Sequence, residues 1–164
     1  MKDMAINDRS DSCRLMIPAA RRGDIALLTE MILEGADING KDEQGLTPLI
    51  VASYNHQHDA VKLLLASGAD VDIVDSGGNS ALMGAAFKGY TDIAGYLIDA
   101  GASLDKRHNN GYTALMLAVM LEKNNVVELL LEKGADPDLT GRDGQTAADL
   151  AIEHGNEKAF ALLK

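Results

Sequence analysis

The chain has 164 residues, of which 46% are hydrophobic but only 4% are aromatic, and it contains no tryptophan. This length predicts one domain with its own hydrophobic core, and the abundance of alanine, leucine and glycine favours packed helices over a β-sandwich. Acidic residues outnumber basic ones by 25 to 15, and the resulting net charge of -10 repels phosphate backbones, which argues against nucleic-acid binding.

At the N-terminus, we expect residues 1–10 to form a flexible tail. No apolar run in this part of the chain matches a secretory signal, and no later segment approaches membrane-spanning length. We therefore expect a cytoplasmic protein with no membrane contact. A chain whose signal peptide had been removed would read the same, so a periplasmic or secreted location stays open.

Two sets of glycines recur along the rest of the chain, and both have the same constant spacing, a period of about 33 residues. The first set is Gly45, Gly78, Gly111 and Gly144. The second set is Gly35, Gly68, Gly101 and Gly134. Two independent markers with one period predict an array of repeated structural units.

Each unit reads as a helical hairpin. Its first helix begins after an N-cap residue type, found at Thr47, Ser80, Thr113 and Thr146. Leucine and alanine three residues apart then give that helix a narrow apolar face, as in the pairs Leu49 with Ala52, Leu82 with Ala85, and Leu115 with Ala118. A second, strongly apolar helix follows and ends at a glycine suited to a left-handed C-cap. About seven extended or turn residues lead to the next cap, and we interpret them as a projecting finger.

The segment "GLTPLIVASYNHQHDAVKLLLASGADVD" resembles an ankyrin repeat, whose signature combines T-P-L-H-x-A with a G-A-D ending. The resemblance implies an all-α ankyrin-repeat solenoid of about five helix-turn-helix units with β-hairpin-like finger loops. It divides residues 11–164, taken as a single domain, into an N-terminal cap at 11–41, three full units at 42–74, 75–107 and 108–140, and a C-terminal cap at 141–164.

Three departures from the ankyrin signature carry structural expectations. The signature histidine is replaced by Ile50, Met83, Met116 and Asp149, so we expect apolar packing in place of its hydrogen bonds. The glycine of the turn between the helices becomes His56 and Glu122 in two units, and we expect those turns to follow different paths. Pro18 lies in the first helix, where proline is tolerated only near the N-terminal turn.

The resemblance also implies a binding surface, because ankyrin-like solenoids most often bind partners through the ends of their first helices and the fingers. Aligning the units places a strip of exposed apolar and basic side chains on this concave face. Its members are Arg21, Arg22, Leu46, Tyr54, Phe87, Lys88, Tyr112, Met120 and Leu121. The alternative is that these groups pack on each other and on the fingers as part of the concave wall.

The sequence offers only weak candidates for a catalytic or metal-binding site. His56 and His58, with Asp59 beside them, have metal-ligand side chains, but we expect no further ligand of the right type nearby in the repeat and hence no metal or other cofactor. The finger segment "DKRHNNG" could contact phosphate or an acidic partner, but it lacks an enclosing pocket. No histidine is expected close enough to activate Cys13 as a nucleophile. We therefore expect no catalytic residues and no enzymatic activity.

Three function classes remain. The first is a protein–protein interaction module that binds a partner protein, of unknown identity, through the concave groove and fingers. The second is a dedicated inhibitor or immunity protein that blocks a cognate enzyme or toxin. The third is a structural adaptor or self-associating scaffold. We favour the first and expect a monomer when the protein is free.

Overall fold

A computed structural model describes the backbone of residues 9–164 and the side chains of residues 15–164. Ten α-helices span this part of the chain. They are α1 (Arg9–Arg22), α2 (Ile25–Leu33), α3 (Pro48–Tyr54), α4 (His58–Ala66), α5 (Ala81–Lys88), α6 (Thr91–Asp99), α7 (Ala114–Met120), α8 (Asn124–Glu132), α9 (Ala147–Glu153) and α10 (Glu157–Leu162). Consecutive helices pair as α1–α2 through α9–α10, so the all-α prediction is confirmed.

The first helices of four pairs begin at the predicted N-caps. In each, the hydroxyl oxygen accepts a hydrogen bond from the backbone N–H three residues later, which would otherwise have no partner in the first turn. These bonds join Thr47 to Ile50, Ser80 to Met83, Thr113 to Met116 and Thr146 to Asp149. The side chain of Asp149 also accepts a bond from the Thr146 N–H, which completes a capping box in α9.

The pairs stack into two layers of helices. Helices α1, α3, α5, α7 and α9 contact one another in order, and α2, α4, α6, α8 and α10 form the second layer. The predicted core leucines Leu49, Leu82 and Leu115 are buried in one continuous apolar cluster. Alanines at 52, 85 and 118 in the same helices are fully buried, and their small size permits close approach of the backbones.

The positions that carry histidine in the ankyrin signature are apolar and buried in three units. Ile50, Met83 and Met116 are all within the core, as the sequence predicts. The fourth position, Asp149, is exposed and serves the capping box of α9. Apolar packing therefore replaces the histidine hydrogen bonds in the three full units.

The turns between paired helices share one backbone conformation, including the two that lack glycine. Residues at this position have positive φ angles in every unit, with His56 at 58° and Glu122 at 55° beside glycines at 67°, 80° and 68°. The expectation that the His56 and Glu122 turns follow different paths is therefore wrong. The repeated packing holds both residues in the left-handed region, which costs free energy for any residue with a Cβ.

Helix α1 is longer than the sequence indicates. It begins at Arg9, and Pro18 lies well inside it rather than near its first turn, so that expectation is wrong. An interior proline removes one helical hydrogen bond. Helix α1 packs against both α2 and α3, which stabilises it despite the missing bond. Residues 1–8 of the predicted tail, and the Cys13 side chain, lie outside the described part of the chain.

Each finger folds back on itself through a tight turn. In the first, the Asp42 N–H donates to the Leu46 carbonyl over 3.1 Å and the Gly45 N–H donates to the Asp42 carbonyl over 2.9 Å. The same two bonds recur in the other three fingers. Within residues 9–164 the only β-type pairing is an isolated antiparallel bridge between Val74 and Ser80, so the fingers are turns rather than strands.

Neighbouring units are also joined by a ladder of side-chain to backbone hydrogen bonds. In each rung, a side-chain oxygen in one unit accepts from a backbone N–H of the next unit, over 2.9–3.0 Å. The rungs join Asn39 to Asp70, Asp72 to Ser103, and Asp105 to Asp136. Successive acceptors are one repeat period apart, so these hydrogen bonds recur with the same period as the sequence.

Candidate functional site

An open groove of about 790 Å³ lies between the ends of α3 and α5 and the adjoining fingers. Its floor includes the apolar side chains of Ile50, Val51 and Met83. Gly84 adds no side chain to the floor, which keeps the groove deep beside the Tyr54 ring. The replacement of the signature histidine by Ile50 and Met83 thus makes the floor apolar.

Two aromatic side chains form one wall of the groove and remain nearly half exposed to solvent. Tyr54 is 43% exposed and Phe87 is 45% exposed. Their rings are stacked with centroids 6.4 Å apart and an angle of 25° between the ring planes. Close to half of each side chain is therefore available to contact a partner.

Basic side chains flank the aromatic pair. The Lys88 ammonium lies 4.4 Å from the centroid of the Tyr54 ring, within range of a cation–π interaction. Arg21, at the end of α1, also lines the groove, and Leu46 lies on its finger side. The structure therefore brings Arg21, Leu46, Tyr54 and Phe87 together at one groove, with Lys88 against the Tyr54 ring.

The other four predicted residues lie outside the lining of this groove. Tyr112 packs its ring against the backbone of Gly141 in the following finger, so closely that a Cβ on Gly141 would lie 2.8 Å from the ring. Met120 is partly buried against the core, whereas Leu121, just after it, is exposed. Arg22 is exposed at the end of α1. The predicted strip is thus split into an open part in the first two full units and a more packed part beyond.

His108 lines the groove and was not predicted as a site residue. Its Nδ1 accepts a hydrogen bond from the Asn110 N–H over 2.9 Å. In the two preceding fingers the equivalent bonds go to the carboxylates of Asp42 and Asp75, which occupy the same position of the repeat. Burial lowers the pKa of His108, although the negative charge of Asp75 opposes this effect, so the ring is held neutral. The signal in the sequence was the repeat column itself, in which histidine replaces aspartate.

A second cluster lies at the opposite ends of α3 and α5 from the fingers, at the turn after α3 and the first turns of α4 and α6. The Nε2 atom of His56 is 3.1 Å from one carboxylate oxygen of Asp92, and the Nε2 atom of His58 is 3.2 Å from the other. The expectation of no further ligand concerned only the repeat that contains the two histidines, and Asp92 lies outside that repeat. The third ligand comes from the next unit, where Asp92 occupies the repeat position that Asp59 occupies in its own unit.

The pKa of Asp92 is set by opposing effects. Partial burial raises the pKa, but hydrogen bonds from the Ile93 N–H and the His56 ring, together with the charges of the two histidines, lower it below its ordinary value overall. The carboxylate is therefore ionised at neutral pH. As a set, one carboxylate and two imidazoles match the ligands that divalent transition metals prefer.

The comparison with known protein families decides how this architecture is classified. A family model for ankyrin repeats in three copies matches residues 15–108 and again residues 100–164. The chain belongs to the ankyrin-repeat family. Ankyrin repeats are generally protein–protein interaction modules, and the family is typically non-enzymatic. A search of curated proteins gives no match to this ankyrin-repeat chain. Among its described helices, none is both long enough and apolar enough to cross a bilayer.

Proposed function

We propose that this ankyrin-repeat chain is a non-enzymatic module that binds a partner protein through the concave groove of its first two full units. The observation that carries the proposal is the stacked pair of Tyr54 and Phe87, nearly half exposed on the wall of a groove with an apolar floor. Aromatic side chains presented beside a pocket are the typical anchors of protein interfaces.

The basic side chains beside the groove indicate which charge the partner surface should carry. Lys88 and Arg21 place positive charge beside the aromatic pair, although the chain as a whole carries a net charge of -10. A partner segment with an apolar side chain for the groove floor and a carboxylate near Lys88 would complement both features. We propose that Arg22, Tyr112, Met120 and Leu121 extend the contact along the same face.

The proposal is tested with the whole chain as bait, in wild-type form and as Phe87→Ala, against lysate of the source cells. Proteins captured by the wild type and lost from Phe87→Ala are identified by mass spectrometry, and their affinities are then measured by calorimetry with purified components. We expect Phe87→Ala to weaken binding about 30-fold or more, which corresponds to the threshold of about 2 kcal/mol for an interface hot spot.

The chain offers a matched control. Leu33, at the end of α2 in the other helix layer, is 82% exposed, so Leu33→Ala removes an exposed apolar side chain far from the groove. Its partner affinity should equal that of the wild type. Equal losses for Leu33→Ala and Phe87→Ala would contradict the groove assignment. An affinity unchanged by Phe87→Ala would contradict it as well.

A further inference from the structure

We propose that His56, His58 and Asp92 form a binding site for a divalent transition metal, with Zn²⁺ the best matched, that links two neighbouring ankyrin units. Across residues 15–164 these are the one group of three potential ligands whose donor atoms converge, all lying within 4.8 Å of one another. His56 lies in the turn between α3 and α4, His58 is the first residue of α4, and Asp92 lies in the first turn of α6.

The donor spacing suits a tetrahedral ion. Bonds of about 2.0–2.2 Å to nitrogen and oxygen separate tetrahedral ligand atoms by about 3.3–3.6 Å. The two distances between an imidazole Nε2 and an Asp92 oxygen are 3.1 and 3.2 Å, so these pairs need little movement. Only the two imidazoles, whose ring centroids are 4.3 Å apart, have to turn slightly toward a common centre.

The two rings are held in place by aromatic neighbours. The His56 ring stacks on Tyr90 with centroids 4.0 Å apart and an interplanar angle of 21°. The His58 ring meets the edge of Tyr96 with centroids 6.1 Å apart. Both tyrosines belong to the unit that supplies Asp92. These contacts limit the side-chain entropy that metal binding would otherwise remove.

The backbone of His56 gives an independent reason to expect a role for this side chain. It has a φ of 58° where glycine would be free of strain, and three of the five equivalent turns have glycine. Strained backbone conformations of this kind cluster at functional sites. Glu122 has the same backbone strain but belongs to no group of three potential ligands among the described residues. It therefore serves as the control for His56.

Metal binding needs no external reactant. To bind the ion, each imidazole presents its Nε2 lone pair and keeps its single proton on Nδ1, and a proton held on Nε2 before binding is released to water. The ligand set carries one negative charge from Asp92 and leaves a fourth coordination position facing solvent, which water or a partner side chain can fill. Because an ankyrin array is stabilised mainly by contacts between adjacent units, an ion shared by two units would strengthen that interface.

The test uses tag-free whole chain, stripped of metal with a chelator and dialysed, then titrated with ZnCl₂ alone. We expect a stoichiometry of one by calorimetry. At a hundredfold excess over the measured Kd, we expect a rise in melting temperature of about 5 °C or more, as linkage predicts for a chain of this size. MgCl₂ at the same concentration should have no effect, because Mg²⁺ prefers oxygen ligands.

Three variants decide whether these residues are the ligands. His56→Gly relieves the backbone strain, so it should melt higher than the wild type without metal and yet lose the response to zinc. Asp92→Asn should lose the response too. Glu122→Gly relieves the same strain in another unit and should keep the full response.

Two results would overturn the proposal. The first is a metal-free wild type whose melting temperature does not change with zinc. The second is a zinc response of equal size in the wild type, His56→Gly and Asp92→Asn, which would place binding elsewhere in the chain. A variant that fails to fold cannot hide either result, because His56→Gly is expected to stabilise the apoprotein.

Discussion

The face formed by the fingers and the ends of the first helices has the same backbone in its two halves but different surfaces. In the first half, the helix-end positions are Tyr54 and Phe87, whose rings stay exposed on the wall of the groove. The same positions in the next two units are Met120, which packs partly into the core, and Glu153. Glu153 accepts a hydrogen bond from the Gln145 amide, which joins the last finger to the end of α9.

The fold therefore does not by itself determine where a repeat array can bind. Each unit offers the same helix end and the same finger, but only some side chains leave an apolar groove between them. Where a finger residue bonds or packs against its neighbour, as Gln145 and Tyr112 do, that surface is already occupied. Function therefore depends on residues that the repeat pattern leaves free to vary.

The largest expected effect on stability comes from the buried leucine core, which the two halves share. Leu97 in α6 and Leu130 in α8 are both fully buried and occupy the same place in adjacent units. We expect Leu97→Ala and Leu130→Ala each to lower the free energy of unfolding by about 2–5 kcal/mol, because each leaves a cavity in the core. Chemical denaturation measures both, and a cost under about 1 kcal/mol in one of them would show that the halves differ in their cores as well.

Exposed and packed aromatic side chains should differ in how much they contribute to stability. Tyr112 packs against Gly141 and meets the edge of the His108 ring, whereas Tyr54 is exposed. We expect Tyr112→Ala to cost about 1–2 kcal/mol of stability, less than the 3–5 kcal/mol of a fully buried aromatic residue. Tyr54→Ala should cost under about 1 kcal/mol. If denaturation gave equal costs for the two variants, the distinction between the packed and open halves would be lost.

A smaller effect should come from glycines inside two helices of the same unit. Gly84 in α5 lies beside the groove, where an added Cβ would be 3.6 Å from the Tyr54 ring, and Gly95 in α6 has open space around it. We expect Gly84→Ala and Gly95→Ala each to raise stability by about 0.5–1 kcal/mol, since alanine loses less backbone entropy in a helix.

The two glycine variants should differ in binding. Gly84→Ala adds a methyl group to the groove floor and should alter partner affinity, while Gly95→Ala should leave it unchanged. Calorimetric titration with the identified partner, beside thermal denaturation of both variants, provides the measurement. An altered affinity in Gly95→Ala would mean that the contact surface reaches α6.

The smallest expected effect is a pH dependence caused by His108, which lines the groove. The folded-state pKa of His108 lies below its value in the unfolded chain, so its contribution to stability is complete above the unfolded pKa of about 6.5. That contribution is lost as the pH falls through the folded pKa, because protonation of Nδ1 breaks the bond from the Asn110 N–H.

His108→Asp restores the residue of the two preceding fingers and keeps an acceptor for this bond. It should remove the part of the pH dependence seen between pH 7 and pH 5. Denaturation midpoints at the two pH values compare the variant with the wild type. An unchanged difference between pH 7 and pH 5 in the variant would exclude His108 as its source.

Much of the fold could be predicted from the sequence because every unit repeats its caps, leucines and glycines at one period. The N-caps from Thr47 to Thr146 and the buried Leu49, Leu82 and Leu115 required only local rules and the period. The helix turns at His56 and Glu122 were predicted wrongly, because side-chain type was given more weight than packing. The neighbouring units impose the left-handed conformation despite the Cβ.

The candidate sites were predicted less completely, because they depend on contacts between units. The groove residues Tyr54 and Phe87 occupy the same position in adjacent units, so alignment of the units brought them together. Asp92 was not predicted as a third ligand, because it lies 36 residues after His56 and occupies a different position of the repeat. The packing of Tyr112 on Gly141 could not be predicted either, because it depends on the angle between successive fingers.

The ladder of bonds from Asn39, Asp72 and Asp105 has a consequence for how such a chain can change in length. Each segment of the ladder that is one period long contains both an acceptor for the segment after it and a donor for the segment before it. A duplication of residues 75–107, placed directly after the original, would therefore be joined on both sides without any new side chain. It would also place a second copy of Phe87 one unit further along the same face. Each added unit would therefore lengthen the contact surface by the width of one repeat.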